Sequence, residues 1–281
     1  MTGGGSAMKR GTAIGQTPRT PDRLAFVDDT QAAARLAKAI VLYALADLRV
    51  RFDRTVLGPF WILVTTAVWV GTVGVLMAQL FKQPITRELP YLTFGVFGWT
   101  FVSSVLIESS STFSGQKTFL LAYRLPLMFC VLRVATRNFF VLSMLTGVGI
   151  LVAGGFGLLR VTLFFHVAAV WGVMLFCMVP VVIIVGIAGS RYADTAPLMV
   201  IVMNILVMAT PIFWRASALA ENHPAIRFNP LVPIIDVYRD LFLRGGASAE
   251  SYLDAIVVGC GLWLVAFCLF ELTHKKIRLW L

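Results

Sequence analysis

The sequence predicts an all-α integral membrane protein with six transmembrane helices, an N-terminal amphipathic interface helix and short re-entrant helices before the last span. Two observations carry this prediction. Hydrophobic residues make up 58% of the chain and charged residues 14%, whereas a soluble domain has about 25% charged residues. Apolar stretches also recur at the length of roughly 20 residues that crosses a bilayer. The predicted spans are residues 56–81, 91–107, 138–159, 161–187, 195–214 and 252–270.

The N-terminal segment differs in composition from everything that follows it. Residues 1–29 are predicted to be a disordered cytoplasmic tail, because Gly, Thr, Pro and basic residues dominate most of this segment. Residues 30–281 then form one transmembrane domain, because six spans and their loops use up most of the remaining length. No room is left for a second globular domain of typical size.

Residues 30–52 are predicted to form a helix that lies on the membrane surface. Two charged residues, Asp47 and Arg51, fall on its apolar face. Their position has two interpretations: weak periodicity near a helix end, or a helix end that faces a protein groove or a polar channel mouth. The apolar stripe consists of Leu36, Ile40, Tyr43 and Ala44.

The distribution of charge predicts topology and excludes two classes of function. Most of the 24 Lys and Arg residues lie in the tail and loops that six spans place on one side, so the positive-inside rule puts both termini in the cytoplasm. Basic residues spread in this way do not indicate nucleic-acid binding. The span interiors lack Lys, Arg, Asp and Glu apart from Asp254 at one edge, which argues against coupling to an ion gradient.

Two segments between the spans carry structure of their own. In the connector 108–137, Gln116 to Tyr123 can form about two helical turns, and Pro126 ends that helix or starts the next. This short helix is either a contact for a cytoplasmic partner or a solvated connector. The segment 214–251 is too interrupted by proline to span, and a pair of short helices dipping into the outer leaflet fits its pattern.

The motifs of common enzymes and nucleotide-binding proteins are absent from the sequence. The nearest string to a P-loop, Gly115-Gln116-Lys117-Thr118, lacks the glycine before the lysine that the phosphate cradle needs. The four cysteines and three histidines do not have the paired spacing of a metal site. We therefore expect no enzyme activity and no cofactor in this chain.

Aromatic residues cluster on the first span and at the end of the fifth. Such residues usually mark the membrane interface, but Trp69 lies near the middle of its span. It therefore either packs against neighbouring helices or lines a pathway. The aromatic residues in question are Phe60, Trp61, Trp69, Phe213 and Trp214.

The order of these features resembles the membrane subunit of type-2 ABC exporters that move lipid-linked polysaccharides, including O-antigen, capsule and teichoic acid. The likeness covers about 30–281. One departure is that the stretch Phe119 to Arg124 is largely apolar, whereas family members often have a more basic stretch before the proline of the docking loop. Three local matches support the resemblance. The first runs from the surface helix into the first span: Asp47-Leu48-Arg49-Val50-Arg51-Phe52 and Val56-Leu57-Gly58-Pro59-Phe60-Trp61. The second is the loop Gln116 through Tyr123-Arg124-Leu125-Pro126, and the third, in the C-terminal half, is Arg191-Tyr192-Ala193-Asp194 with Pro211-Ile212-Phe213-Trp214 and Asn229-Pro230-Leu231.

The resemblance implies an assembly and three functional regions. Two copies of the chain would form a pore in the bacterial inner membrane, with two copies of a separate P-loop ATPase, which holds ATP and Mg²⁺, bound below. The glycan, on an undecaprenyl carrier, would pass the aromatic residues of the first and fifth spans. The lipid pyrophosphate would meet Arg49, Arg51 and Arg54. The ATPase would dock on Gln116, Lys117, Leu120, Tyr123, Arg124 and Pro126.

Other functions stay open on the sequence. An exporter of drugs or lipids with the same fold would have a narrower and more apolar transport path. A lipid-modifying membrane enzyme would need convergent polar residues in one membrane-facing cleft. A passive channel or structural subunit would not copurify with an ATPase.

Overall fold

The computed structural model describes residues 24–53, 55–56, 58–80, 84–215 and 224–281. These residues form helices and the turns that join them, without a strand. Most of the predicted tail and Arg54 lie outside the described residues. In chain order the helices are α1 (Ala25–Ala34), α2 (Ala37–Phe52), α3 (Trp61–Leu80), α4 (Ile85–Ser109), α5 (Lys117–Tyr123), α6 (Leu127–Gly155), α7 (Val161–Arg191), α8 (Thr195–Ala209), α9 (Pro224–Arg227), α10 (Leu231–Leu243) and α11 (Ala249–Trp280).

Four helices, α4, α6, α7 and α11, are long and apolar enough to cross a membrane. The prediction of an all-α membrane protein is thereby confirmed. The first and fifth predicted spans correspond to shorter apolar helices, Val64–Gln79 within α3 and Thr195–Ala209. The 15 residues of α8 extend about 22 Å at 1.5 Å per residue, less than the roughly 30 Å hydrocarbon core. Six spans therefore remain a prediction.

The long helices extend beyond the bounds predicted from hydropathy. α6 begins at Leu127, directly after Pro126, and not at residue 138. The apolar pattern is interrupted there by Arg133 and Arg137, whose charges are paired with residues of other helices. α11 likewise continues to Trp280, past the predicted end at residue 270.

The predicted interface helix is two helices, which meet at Arg35 and Leu36. α1 begins at Ala25, inside the segment predicted as tail. A distant residue supplies the reason, because the Glu271 carboxylate accepts hydrogen bonds from the Phe26 N–H at 2.8 Å and the Ala25 N–H at 3.2 Å. A carboxylate at a helix N-terminus satisfies amides that have no partner within the helix.

Contacts between distant segments define the two ends of the bundle. At the connector end, the Met128 N–H donates to Asp29 Oδ2 at 2.7 Å and Arg278 Nη2 donates to the Leu125 carbonyl at 3.1 Å. The start of α6, the end of α11 and α1 therefore lie together. At the opposite end, called the α10 end, Arg160 Nη1 donates to the Arg244 carbonyl at 3.1 Å.

The α10 helix is buried over most of its length, although it comes from the segment that is too short to span. Its Phe242 ring stacks on Phe94 of α4 with centroids 4.4 Å apart. Tyr238 is fully buried and packs beside Gly98, where an added Cβ would come within 3.3 Å of the tyrosine ring. The two short helices expected in this segment are α9 and α10, and α10 packs against the long helices as part of the core.

Candidate functional site

The structure shortens the predicted connector to residues 110–126, which lie between α4 and α6. This connector has one buried face and one exposed face. Leu120 is buried, and the ring of Phe119 packs between Tyr43 of α2 and Phe129 of α6 at 5.2 and 6.1 Å. These contacts hold α5 against the bundle. The exposed face carries the side chains that an external partner can reach: Lys117, Leu121, Tyr123 and Arg124.

The six residues predicted to dock the ATPase thus divide into two groups. Lys117, Tyr123 and Arg124 are exposed. Gln116 and Leu120 face the bundle, so their contacts position α5. Pro126 is half-buried at the N-terminus of α6, where its fixed φ suits the start of a helix.

Arg124 ends α5 in the left-handed conformation, with φ 49°. Glycine is the usual residue at this position after a helix, because a Cβ is strained there by about 1 kcal/mol. An exposed arginine therefore occupies a position where it costs stability. Strain of this kind often marks a residue with a function.

An ion-pair network joins the connector to three helices. Arg133 of α6 donates from Nε to Asp47 Oδ2 at 2.8 Å and from Nη1 to Gln116 Oε1 at 3.0 Å. Arg137 donates from Nη2 to Glu108 Oε2 at 2.7 Å. Because Asp47 meets both arginines, it faces protein, which supports the second of its two interpretations. The sequence did not indicate this pairing, since Arg133 lies 86 residues away from Asp47 in the chain.

The three arginines predicted to meet a lipid pyrophosphate are only partly described. Arg49 is exposed on α2. Arg51 lies in the last turn of α2, and its side chain and the whole of Arg54 lie outside what the structure describes. The described residue is thus accessible at the connector end, as a contact to a headgroup requires.

A groove of about 510 Å³, here called the mid-depth groove, lies between the middle parts of α3 and α4 and the second half of α8. The rings of Trp69 and Phe213 stand 5.3 Å apart at its wall, tilted by 34°. Polar atoms are interspersed with the rings, because threonine hydroxyls and one asparagine amide share the lining. The lining comprises Thr65, Thr66, Trp69, Val96, Trp99, Thr100, Asn204, Val207, Met208 and Phe213.

The predicted aromatic set is only partly brought together here. Trp69 and Phe213 line the groove, whereas Phe60 and Trp61 are exposed at the start of α3 and do not. Trp214 does not line it either, and its Nε1 donates to the Met208 carbonyl at 3.0 Å. Sequence reasoning missed Trp99, although its place in mid-span carries the same signal that singled out Trp69.

A buried arginine positions the chain that follows α8. Arg239 of α10 donates from Nη2 to the Pro211 carbonyl at 2.7 Å and from Nη1 to the Tyr91 hydroxyl at 3.0 Å. Arg215, paired with Glu88 at 2.7 Å, also lies over the Tyr91 ring, with its Cζ 4.8 Å from the ring centroid against 4.1 Å for Arg239. This cluster holds residues 211–215 against α4 and so sets where Phe213 enters the groove. The sequence showed the charges without showing that they would be buried.

The described part of the chain has no cluster of three His, Cys, Asp or Glu side chains that could hold a metal ion. Its four cysteines are free thiols. In comparisons with known proteins, no family model and no curated protein matches this chain.

Proposed function

We propose that this chain is the membrane subunit of a type-2 ABC exporter that moves a lipid-linked polysaccharide, such as an undecaprenyl-linked O-antigen-like glycan, from the cytoplasm to the periplasm. The mid-depth groove carries the proposal. Indole and phenyl rings alternate there with hydroxyl and amide groups, and a sugar presents both C–H faces and hydroxyls to such a wall. An exporter of drugs or lipids would need a more apolar path.

The six-span topology and the homodimer belong to this proposal. In it α3 and α8 join the four long helices in crossing the inner membrane, and two copies of the chain enclose the path. The shortness of α8 is compatible with a crossing completed by residues 211–215 and by a locally shielded backbone. Both termini are then cytoplasmic, and the connector end faces the cytoplasm.

A separate ATPase would drive transport through the connector. Support comes from the division of α5 into a buried face that holds it to the bundle and an exposed face with Tyr123 and Arg124. A force applied to the exposed face would reach α6 and α2 directly through Phe119, and through the hydrogen bond from Arg133 to Gln116. ATP and Mg²⁺ would be bound by that partner.

The groove is tested by removing one ring. In cells whose own permease is deleted, Trp69→Ala should reduce surface glycan about fivefold, the factor expected for an aromatic contact worth about 1 kcal/mol. Trp69→Phe should restore much of it. Phe165→Ala is the matched control, because Phe165 is an exposed ring on α7 outside the groove. Full export by Trp69→Ala at an unchanged protein level would show that the groove is not part of the export path.

The connector is tested by Arg124→Gly, which deletes the side chain while easing the backbone strain. We expect the variant to be at least as stable as the parent, yet to copurify with less ATPase and to export less glycan. Arg160→Ala, which removes an exposed cation at the α10 end, should change neither. Normal ATPase capture and export by Arg124→Gly would contradict the docking role of this side chain.

A further inference from the structure

Two cavities lie along one stripe of α11, the first at the α10 end and the second further along the helix. The first, of about 480 Å³, is lined by Arg227, Asp236, Ser251, Asp254 and Val258 among others. The second, of about 310 Å³, is lined by Leu262, by Leu106 of α4, by residues of α7, α8 and α10, and by the turn that precedes α10. Val258 and Leu262 are four residues apart and therefore share a face one turn along the helix. The stripe leads from a charged cavity to an apolar one.

The second cavity is lined almost entirely by aliphatic side chains and methionines. Its one polar residue, Asn229, is already satisfied, because its Nδ2 donates to Thr210 Oγ1 at 2.9 Å and its Oδ1 accepts from the Leu231 N–H at 3.0 Å. Water needs two or more polar partners and has none here. An unfilled space would forfeit dispersion contacts on every wall. In a bilayer, a hydrocarbon chain is the matching occupant.

The first cavity carries one positive and one negative side chain that are not engaged. Among the described residues neither Arg227 nor Asp254 has a hydrogen bond or ion pair, and they do not pair with each other. Asp236 is paired with Arg239 at 2.8 Å. The cavity therefore matches a zwitterionic group, with a phosphate at Arg227 and an ammonium at Asp254. An anionic headgroup would meet Asp254 without compensation.

We propose that α9, α10 and α11 form a binding site for a bilayer phospholipid of the phosphatidylethanolamine type. Its phosphate lies at Arg227, its ammonium at Asp254, and one acyl chain follows Val258 and Leu262 into the apolar cavity. The site is separate from the groove and the connector. Its occupant would fill the space between α8 and α11 and so brace α10, which positions residues 211–215.

The test is retention of lipid by the purified full-length protein, measured by native mass spectrometry after exchange into micelles containing phosphatidylethanolamine or phosphatidylglycerol with identical chains. We expect phosphatidylethanolamine to be retained about tenfold better. Arg227→Gln and Asp254→Asn should each abolish most of that preference. Arg160→Gln, at an exposed arginine of the α10 end that lines neither cavity, should leave it intact.

The acyl chain is tested by filling its cavity. Val202→Phe places a ring in the apolar cavity, whereas Ile201→Phe, at the exposed neighbouring position on α8, does not. We expect retention to fall several-fold in the first variant and to stay unchanged in the second, with both eluting as the parent on size exclusion. Equal retention of the two lipids, or retention indifferent to Arg227→Gln, Asp254→Asn and Val202→Phe, would overturn the proposal. Neither outcome bears on glycan export.

Discussion

Gly189, near the end of α7, lies directly against the backbone at the start of the connector. A Cβ added there would overlap the carbonyl oxygen of Ser110 and lie 2.7 Å from its carbonyl carbon. Because these are backbone atoms, no side-chain rotation can relieve the overlap. Gly189→Ala would therefore require α7 and the start of the connector to separate by more than about 1 Å.

The size of the effect follows from comparison with a second glycine of the same helix. At Gly172 an added Cβ meets nothing within 4 Å. Both substitutions gain up to about 1 kcal/mol of helix propensity, so this gain cancels in the comparison. The remaining difference is the steric cost, about 2 kcal/mol for overpacking of a close contact. For a chain of this size it corresponds to a difference of about 5 °C in Tm.

The assay is the loss of the monodisperse size-exclusion peak after heating the detergent-solubilised protein. We expect Gly172→Ala to match or exceed the parent in Tm and Gly189→Ala to fall below both. If the two variants melted at the same temperature, the close contact between α7 and the connector would not exist in solution.

Two further predictions concern charged groups at the connector end. In a double-mutant cycle of Asp47→Ala and Arg133→Ala, we expect a coupling energy of about 1–2 kcal/mol in thermal or denaturant unfolding. The reason is that the pair is mostly buried, with the Asp47 and Arg133 side chains 22% and 15% exposed. Additive effects of the two single substitutions would show that the ion pair is not formed. Burial is the main cause that raises the pKa of the Asp29 carboxyl above 3.8, against the lowering effect of its Met128 N–H bond. A raised pKa in the folded state means that its contribution to stability is present below about pH 3.8 and is lost as the pH rises through the folded value. Asp29→Asn, which keeps an oxygen acceptor for Met128, should therefore gain in Tm relative to the parent as the pH rises from 4 to 7, and a constant difference across that range would contradict the shift.

The class of all-α membrane protein and the positions of the long helices could be predicted from the sequence, because hydropathy is a local property. α7 shows this clearly, since its predicted and observed starts coincide at Val161. Its end was misjudged by a few residues, where polar side chains begin. Pro126 also marked a boundary correctly, because proline disrupts the hydrogen bonds of a helix interior but suits the start of a helix.

The start of α6 could not be predicted in the same way. Hydropathy treats Arg133 and Arg137 as evidence against a buried helix, and only the carboxylates of Asp47 and Glu108 reverse that. These partners lie on α2 and α4, so their proximity is a result of packing. The same holds for Arg239, which is buried because the Pro211 carbonyl, Asp236 and the Tyr91 hydroxyl surround it.

For the candidate site, the sequence determined which residue types were available and the tertiary structure decided which of them meet. Trp69 stood out by its depth in an apolar stretch, yet only the packing of α3, α4 and α8 placed Trp99, Asn204 and Phe213 around it. The apolar character of a helix and the length of its apolar stretch are determined by the residues along that one segment. Partners in ion pairs and cavity walls are encoded by contacts between distant segments, and those exist only once the helices have packed.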